Sequence, residues 1–271
     1  MEKNEPKQFG YIKDEITDTD YVLGSLSIPT ETLQPTGQWD KFIPADEIQR
    51  TEKYETANCT AFGTLNALEF LFKRLFGETK NWSERYVGIA AGTRPPGNSP
   101  QKVIETIRKV SGVIDDEFLP MSKAGTLEDY YSPDPLPVLL TWKGEEFIKN
   151  HKINHEWVYD DKREHNHKEA IKEALRYSPL GVAVAAWQYD FDKKIYIRPM
   201  GAEDNHWCVM FGYSEGQFWK IFDSYDRSIK NLDWDFGFER IKRYRIEKIE
   251  RTNFWDFLRR FFGKYKINLM Q

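Results

Sequence analysis

"TANCTAFGTLNALEF", residues 56–70, decides how the rest of the chain is read. Cys59 is one of only two cysteines. It heads an apolar run in which Phe62, Leu65, Leu68, Leu71 with Phe72, and Leu75 with Phe76 recur at three- and four-residue steps. That is the period of a helix buried along one face. Thr56 and Asn58 are N-cap residue types and Gly77 is a C-cap type, so the spacing predicts a helix over 59–76. A thiol at a helix N-terminus meets free N–H groups and the positive end of the dipole, which favour the thiolate. Cys59 is therefore either a small packing residue or a nucleophile, and the remainder of the chain must choose.

A nucleophile needs a base. His151, His155, His165 and His167 stand in "NHKINHEW" and "KREHNHKE", polar stretches that read as solvated loop. His165 and His167 form a His-x-His pair, but no further Cys or His completes a ligand set. No metal and no cofactor is expected. His206 differs, because it opens the apolar run "HWCVMFGYS" after a turn, where an imidazole is positioned rather than solvated. Asp223 ends the run "FWKIFD", seventeen residues later. If the two runs pair antiparallel through Ser214–Gln217, Asp223 returns to the height of His206. A Cys59–His206–Asp223 constellation follows, with a ring nitrogen near the thiol and the carboxylate orienting the ring. Cys208 reads as strand packing.

Around these residues the chain divides by texture. Residues 1–20 are polar and expected to be loosely held, and 21–44 read as extended chain and turns laid over a surface. "WSERYVGIAAGT" and "SPQKVIETIRKVSG" predict two more helices, the first after a Ser cap and the second with Pro in its first turn and a terminal Gly. From about residue 136 the pattern changes. A helix over 166–179 is followed by strand-like runs at 180–188, 194–200, 206–214, 218–225 and 238–246, rich in β-branched and aromatic residues. Helices first and strands second predict an α+β protein with segregated lobes. We divide it as 1–45 N-terminal extended segment, 46–135 helical lobe, 136–250 β-rich lobe and 251–271 C-terminal amphipathic helix. That last helix either docks on its own domain or offers a surface to a partner.

The bulk numbers narrow the class. The chain has 271 residues, 40% hydrophobic and 30% charged, with a net charge of −4. It lacks the basic excess of a nucleic-acid-binding domain. The charge is uneven, since residues 239–266 carry +6 and the remainder −10. No run of eighteen apolar residues predicts a membrane span. Two cysteines make no disulfide framework, and the first residues hold no apolar signal segment, as for a cytoplasmic protein.

The pieces, in their order, resemble the papain-like cysteine peptidases. "NCTAFGTLNALE" resembles the family's Cys-x-[Ala/Ser]-Phe segment on the central helix. "WSERYV" resembles the Ser-Glu motif after it, and "PGNSPQKVIETIRKVSGVIDDEFLP" the Gly-rich wall and following helix. "SPLGVAVAAW", "NHWCVMFGY" and "FWKIFDSYD" resemble the three site-bearing strands, and "GQWDKFIP" the segment leading towards the active site. Within the family the likeness is to bacteriophage and uncultured-microbe sequences, which would make the protein cytoplasmic or virion-associated. The resemblance implies a two-lobed α+β fold, a helical lobe plus an antiparallel β-rich lobe with the cleft between them, and a peptide or protein substrate. It implies Gln49 as oxyanion donor, through a loop four residues longer than usual. Lys53 stands at the family's usual Gln position. Gly97 and Asn98 take the place of the Gly pair that holds extended substrate, and Tyr225 that of the shielding Trp. Asp223 stands where the family usually has Asn. A binding or structural module on the same fold, and another Cys-His-Asp hydrolase such as a peptidoglycan amidase, are the competing expectations.

Overall fold

The computed structural model describes residues 9–22, 32–45, 47–159, 167–226 and 229–249. The expected C-terminal helix and His165 lie outside the described residues. The central element is α1 (Cys59–Phe76), with the bounds its periodicity predicts and Gly77 closing it in the left-handed conformation, φ 72°. The cap at the other end differs from expectation. Asn58 makes no side-chain cap bond; its Nδ2 donates instead to Glu84 O at 2.9 Å and to Tyr130 Oη at 2.8 Å. Every residue from Cys59 to Phe72 is buried, because α1 is covered on all sides.

On one side lie α2 (Glu84–Ala90), capped by Ser83, and α3 (Pro100–Thr106), capped by Ser99, running into a π-helical turn at Ile107–Ser111. α4 (Leu127–Tyr130) and α5 (Val138–Asn150) follow. Gly144 of α5 lies so close to Ser111 that a Cβ there would fall 1.9 Å from its carbonyl oxygen. On the other side is a sheet of β1 (His151–Trp157), β2 (Leu180–Val184), β3 (Gln188–Asp190), β4 (Ile195–Ile197), β5 (His206–Ser214), β6 (Phe218–Phe222), β7 (Ile229–Asp233) and β8 (Ile241–Lys248). The order is β1-β8-β2-β5-β6-β7-β4-β3, antiparallel except where β4 meets β7. α6 (His167–Leu175) precedes β2. This is the expected α+β, two-lobed arrangement.

α1 reaches β5 because Gly63 allows it, since a Cβ there would sit 2.7 Å from the Trp207 ring. The hairpin β5–β6 turns at Ser214–Gln217, with Gln217 N donating to Ser214 O at 3.0 Å, and carries a bulge between Met210 and Gly212. Five elements go beyond the sequence expectation: α4, α5, β1, β3 and β7. β1 corrects the reading of "NHKINHEW" as solvated loop. His155 is 7% exposed and Nε2-bonded to Glu105 at 2.6 Å, while His151 sits among Phe72, Phe76 and Phe147. His167 stacks on Tyr159. The surface reading of 21–44 is corrected at Trp39, which is fully buried with Nε1 donating to Leu175 O at 2.7 Å. Among the described residues no helix is long and apolar enough to cross a membrane, and no group of three His, Cys, Asp or Glu side chains could hold a metal.

Glu69 of α1, Glu84 of α2 and Glu47 meet in the helical lobe, each with one carboxyl oxygen unpaired. Burial pushes the Glu69 and Glu84 carboxyls well up, and the Glu47 charge pushes them further. Burial raises Glu47 to about 7. Groups raised in the folded state stabilise it fully below the ordinary carboxylate range and lose that contribution as pH rises through about 7. E84Q is therefore expected to flatten the fall in stability between about pH 5 and 8 and to raise Tm at pH 8, by about 2–4 °C per kcal/mol recovered. Thermal unfolding at the two pH values checks this, and parallel wild-type and variant curves would refute it.

Candidate active site

Cys59 is held in place by the turn before it. Arg50 bridges Glu55, and Thr51 N donates to Tyr54 O at 2.9 Å, so 50–55 form a tight hairpin with exposed Lys53 near its tip. The hairpin sets Gln49 beside Thr56, whose N and Oγ1 both donate to Gln49 O, at 3.2 and 2.7 Å. Ala57 takes a left-handed φ of 53°, unusual for a residue with a Cβ. Its N–H donates to Glu55 Oε1 at 3.2 Å. The side chains of Asn58 and Tyr131 clamp the same turn from the helical lobe. Cys59 then begins α1 fully buried.

His206 is positioned by register. β2 pairs with β5 so that Val184 faces His206, and Asn205 N donates to Val184 O at 3.0 Å. The ring is fully buried, and its Nε2 donates to Asp223 Oδ1 at 2.6 Å. Nδ1 is buried and carries no hydrogen bond. Asp223 follows β6 directly, which is why seventeen residues bring it back to His206 across a bulged hairpin. Its other oxygen accepts from Lys230 Nζ at 2.8 Å, and Tyr225 N donates to Oδ1 at 3.2 Å. Burial pushes the Asp223 carboxyl up, but the charges and hydrogen bonds of His206 and Lys230 outweigh it and hold it at about 2.

Cys59 packs against the strand that carries His206. Cys59 packs with Trp207, the residue after His206, and with Tyr11, Trp157 and Ala183. The thiol is influenced by Glu55 and Asp223, and the Glu55 carboxyl by His206. The sequence predicts a thiol lowered by its helix N-terminus. In this conformation burial wins: it pushes the thiol well up, and the Trp207 and Thr60 backbone N–H groups offset only part of that.

What buries the cleft is the chain's own N-terminal segment, which corrects the expectation that it is loosely held. Phe9 and Tyr11 are each 8% exposed. Tyr11 forms a parallel β-bridge with Asn98, with Asn98 N donating to Gly10 O and Ile12 N donating to Asn98 O, both at 2.9 Å. Gly97 and Asn98 thus hold extended peptide through the Asn98 backbone, while Asn98 Nδ2 anchors the wall to Ala91 O and Thr93 Oγ1. Gly10 passes so close to Ala57 that a Cβ would lie 2.2 Å from its carbonyl oxygen. Phe9 O accepts from Gln49 Nε2 at 3.0 Å, and the other hydrogen of that amide goes to Glu55 Oε1 at 2.7 Å. Tyr225 stands edge-on to Phe9 and His206, with the Arg50 guanidinium on its face.

Four residues of the site escape the sequence reading: Glu55, Trp187 (whose ring lies 5.6 Å from that of His206), Lys230 and Phe9. Only Lys230 has a legible signal, since it alternates with Leu232 on the buried face of its strand. Cys208 is buried in β5, where its thiol lies 3.9 Å from Val182 O and feels the Asp223 and Lys230 charges.

No protein-family model matches the sequence, and no curated protein matches it by sequence. Solved structures do match. Digestive procathepsin L 3 of the Tenebrio molitor larval midgut has a TM-score of 0.54 at 14% identity, over 76% of this chain and 68% of that one. Bromelain protease from Ananas comosus, solved with the E64 inhibitor, has a TM-score of 0.54 at 17% identity, over 78% and 98%. The recombinant stem bromelain precursor has a TM-score of 0.52 at 16% identity, over 89% and 77%. At such identities the likeness is one of architecture, and the chain has the fold of the papain-like cysteine proteases.

Proposed function

We propose that the protein is a cysteine peptidase whose nucleophile is Cys59, in a cleft closed by residues 9–12. The observation that carries this is the buried His206 ring, with Nε2 fixed on Asp223 and Nδ1 unpaired, on a strand whose next residue, Trp207, packs on a cysteine that begins a helix. A peptide substrate is favoured over a glycan-linked amide because the Asn98 backbone already holds residues 10–12 of the chain by two main-chain bonds.

In this reading residues 9–12 first leave the cleft, and the substrate takes their place. In the opened cleft Nδ1 of His206 takes the Cys59 proton, giving a thiolate–imidazolium pair, and Sγ then adds to the peptide carbonyl carbon. Gln49 Nε2, released from Phe9 O, and the Cys59 N–H hold the oxyanion. His206 returns the proton to the amine as the C–N bond breaks. Water, deprotonated by the same ring, then hydrolyses the thioester, with Asp223 keeping the ring aligned throughout. Tyr225 screens the His206–Asp223 bond from water.

The test is modification of the full chain by E64, an epoxide that alkylates active-site thiols, read by mass spectrometry. An adduct at Cys59, with Cys208 unmodified and peptide hydrolysis lost in step, is the expected result. Equal slow modification of both cysteines, with no hydrolysis, would leave the fold as a peptide-binding module.

A further inference from the structure

Lys230 stands on β7 where strand alternation turns it inward, and it is 1% exposed. Its ammonium donates to Asp223 Oδ2 at 2.8 Å and also pairs with Asp226. The rings of Trp187 and Tyr196 lie 5.2 and 5.6 Å from Nζ. Lysine is among the residues least often fully buried, and burying its charge is costly unless it is paired. Here the paired charge sits on one oxygen of the carboxylate whose other oxygen holds His206. His206 and Lys230 therefore share the Asp223 charge, in a buried site where charges are weakly screened, while Asp226 is a second, more exposed partner of the lysine.

We propose that Lys230 is a positioning residue that neutralises Asp223, so that the carboxylate orients the His206 ring without trapping the proton the ring must pass on. This rests on the cysteine-peptidase reading. With Lys230 present, the His206–Asp223–Lys230 line carries +1 when the ring is protonated, matching a Cys59 thiolate. It carries zero when the ring is neutral, matching a thiol. Without Lys230 the line carries zero and −1. The surplus negative charge then holds the proton on His206 and opposes a thiolate on Cys59, which Asp223 already pushes up. Around His206 the other groups are Glu55 and the rings of Phe9, Trp187 and Tyr225. Around Lys230 they are Asp226, Cys208 and the Trp187 and Tyr196 rings, and Tyr131 faces Cys59. These groups are the same in every variant below.

The test is the pH profile of Cys59 alkylation by iodoacetamide, measured on the full chain at the Cys59 peptide. Residues 9–12 are common to all variants, so profile positions are compared rather than absolute rates. The wild-type profile is expected to show two steps: an acid one as the thiolate–imidazolium pair forms, and an alkaline one as the ring loses its proton. K230M moves the alkaline step up by about one pH unit. D223N, which leaves the lysine charge uncompensated, moves it down. D223N/K230M returns it to near the wild-type position, and K230R leaves it there. If K230M fails to fold, the comparison of D223N with D223N/K230M decides. Coincident profiles for those two, or a K230M profile that stays in place while only Tm falls, would overturn the proposal. A wild-type profile with no acid step, following that of an ordinary thiol, would overturn the cysteine-peptidase reading together with it.

Discussion

Replacing His206 by alanine is expected to slow both acylation of Cys59 and peptide turnover by about 10³–10⁴-fold. Burial pushes the thiol up in the closed site, and in the proposed mechanism the ring, whose Nδ1 carries no hydrogen bond, takes its proton. Without the ring that mechanism has no base. The carboxylate of Asp223 is then left with Lys230 and cannot reach forward to replace it. Because His206 is fully buried, H206A also leaves a cavity, so the comparison needs a second variant. H206Q keeps most of the volume and a donor for Asp223 but offers no base of useful strength. The two variants should be equally slow in single-turnover acylation while differing in Tm. Residual turnover within tenfold of wild type in a folded H206Q protein would remove His206 from the mechanism.

Valine at position 10 is expected to act in the opposite direction, raising the rate of Cys59 alkylation by about 10²-fold. Gly10 has a φ of 107°, and a Cβ there would lie 2.2 Å from the Ala57 carbonyl oxygen. The colliding partner is backbone, clamped by Asn58, Tyr131 and Glu55, so the segment must yield rather than the turn. Holding residues 9–12 in the cleft are four hydrogen bonds, from Gln49, Asn98, Phe9 and Ile12, and the burial of two aromatic side chains. At about 1 kcal/mol per hydrogen bond and 1.5–3 kcal/mol per buried aromatic, less the entropy of ordering the segment, a net closure of about 3 kcal/mol is reasonable. Opening the cleft then changes the population of accessible thiol by about two orders of magnitude. Rates of iodoacetamide labelling for G10V against wild type, with Cys208 as internal reference, measure the effect. An unchanged Cys59 rate with a folded protein would mean that the segment does not limit access.

Much of the site is legible because it is built on regular elements. The 3.6-residue period of 59–76 places Cys59 at a helix start, and the period-2 runs at 206–214 and 218–222 place His206 and Asp223 across one hairpin. Gln49 is harder, because counting back from Cys59 reaches Lys53. Only the 50–55 hairpin, an excursion in the chain, explains how Gln49 comes beside Thr56. The misread elements share a cause. β1 is an edge strand whose polar histidines are buried by partners from α3, α5 and β8, and no local pattern announces Glu105 or Phe147.

By itself the sequence determined the helix that carries Cys59, the strands that carry His206 and Asp223, and the order of the two lobes. Each of these is written in hydrophobic periodicity, which acts over a few residues. Only the tertiary structure decided that Lys230 would meet Asp223 and that Phe9 would lie on Gln49. It also decided that Cys59, for all its helix N-terminus, would be a protonated thiol under Tyr11. Those outcomes depend on burial and on charges brought together across dozens of residues. In this site desolvation outweighs the local helix field.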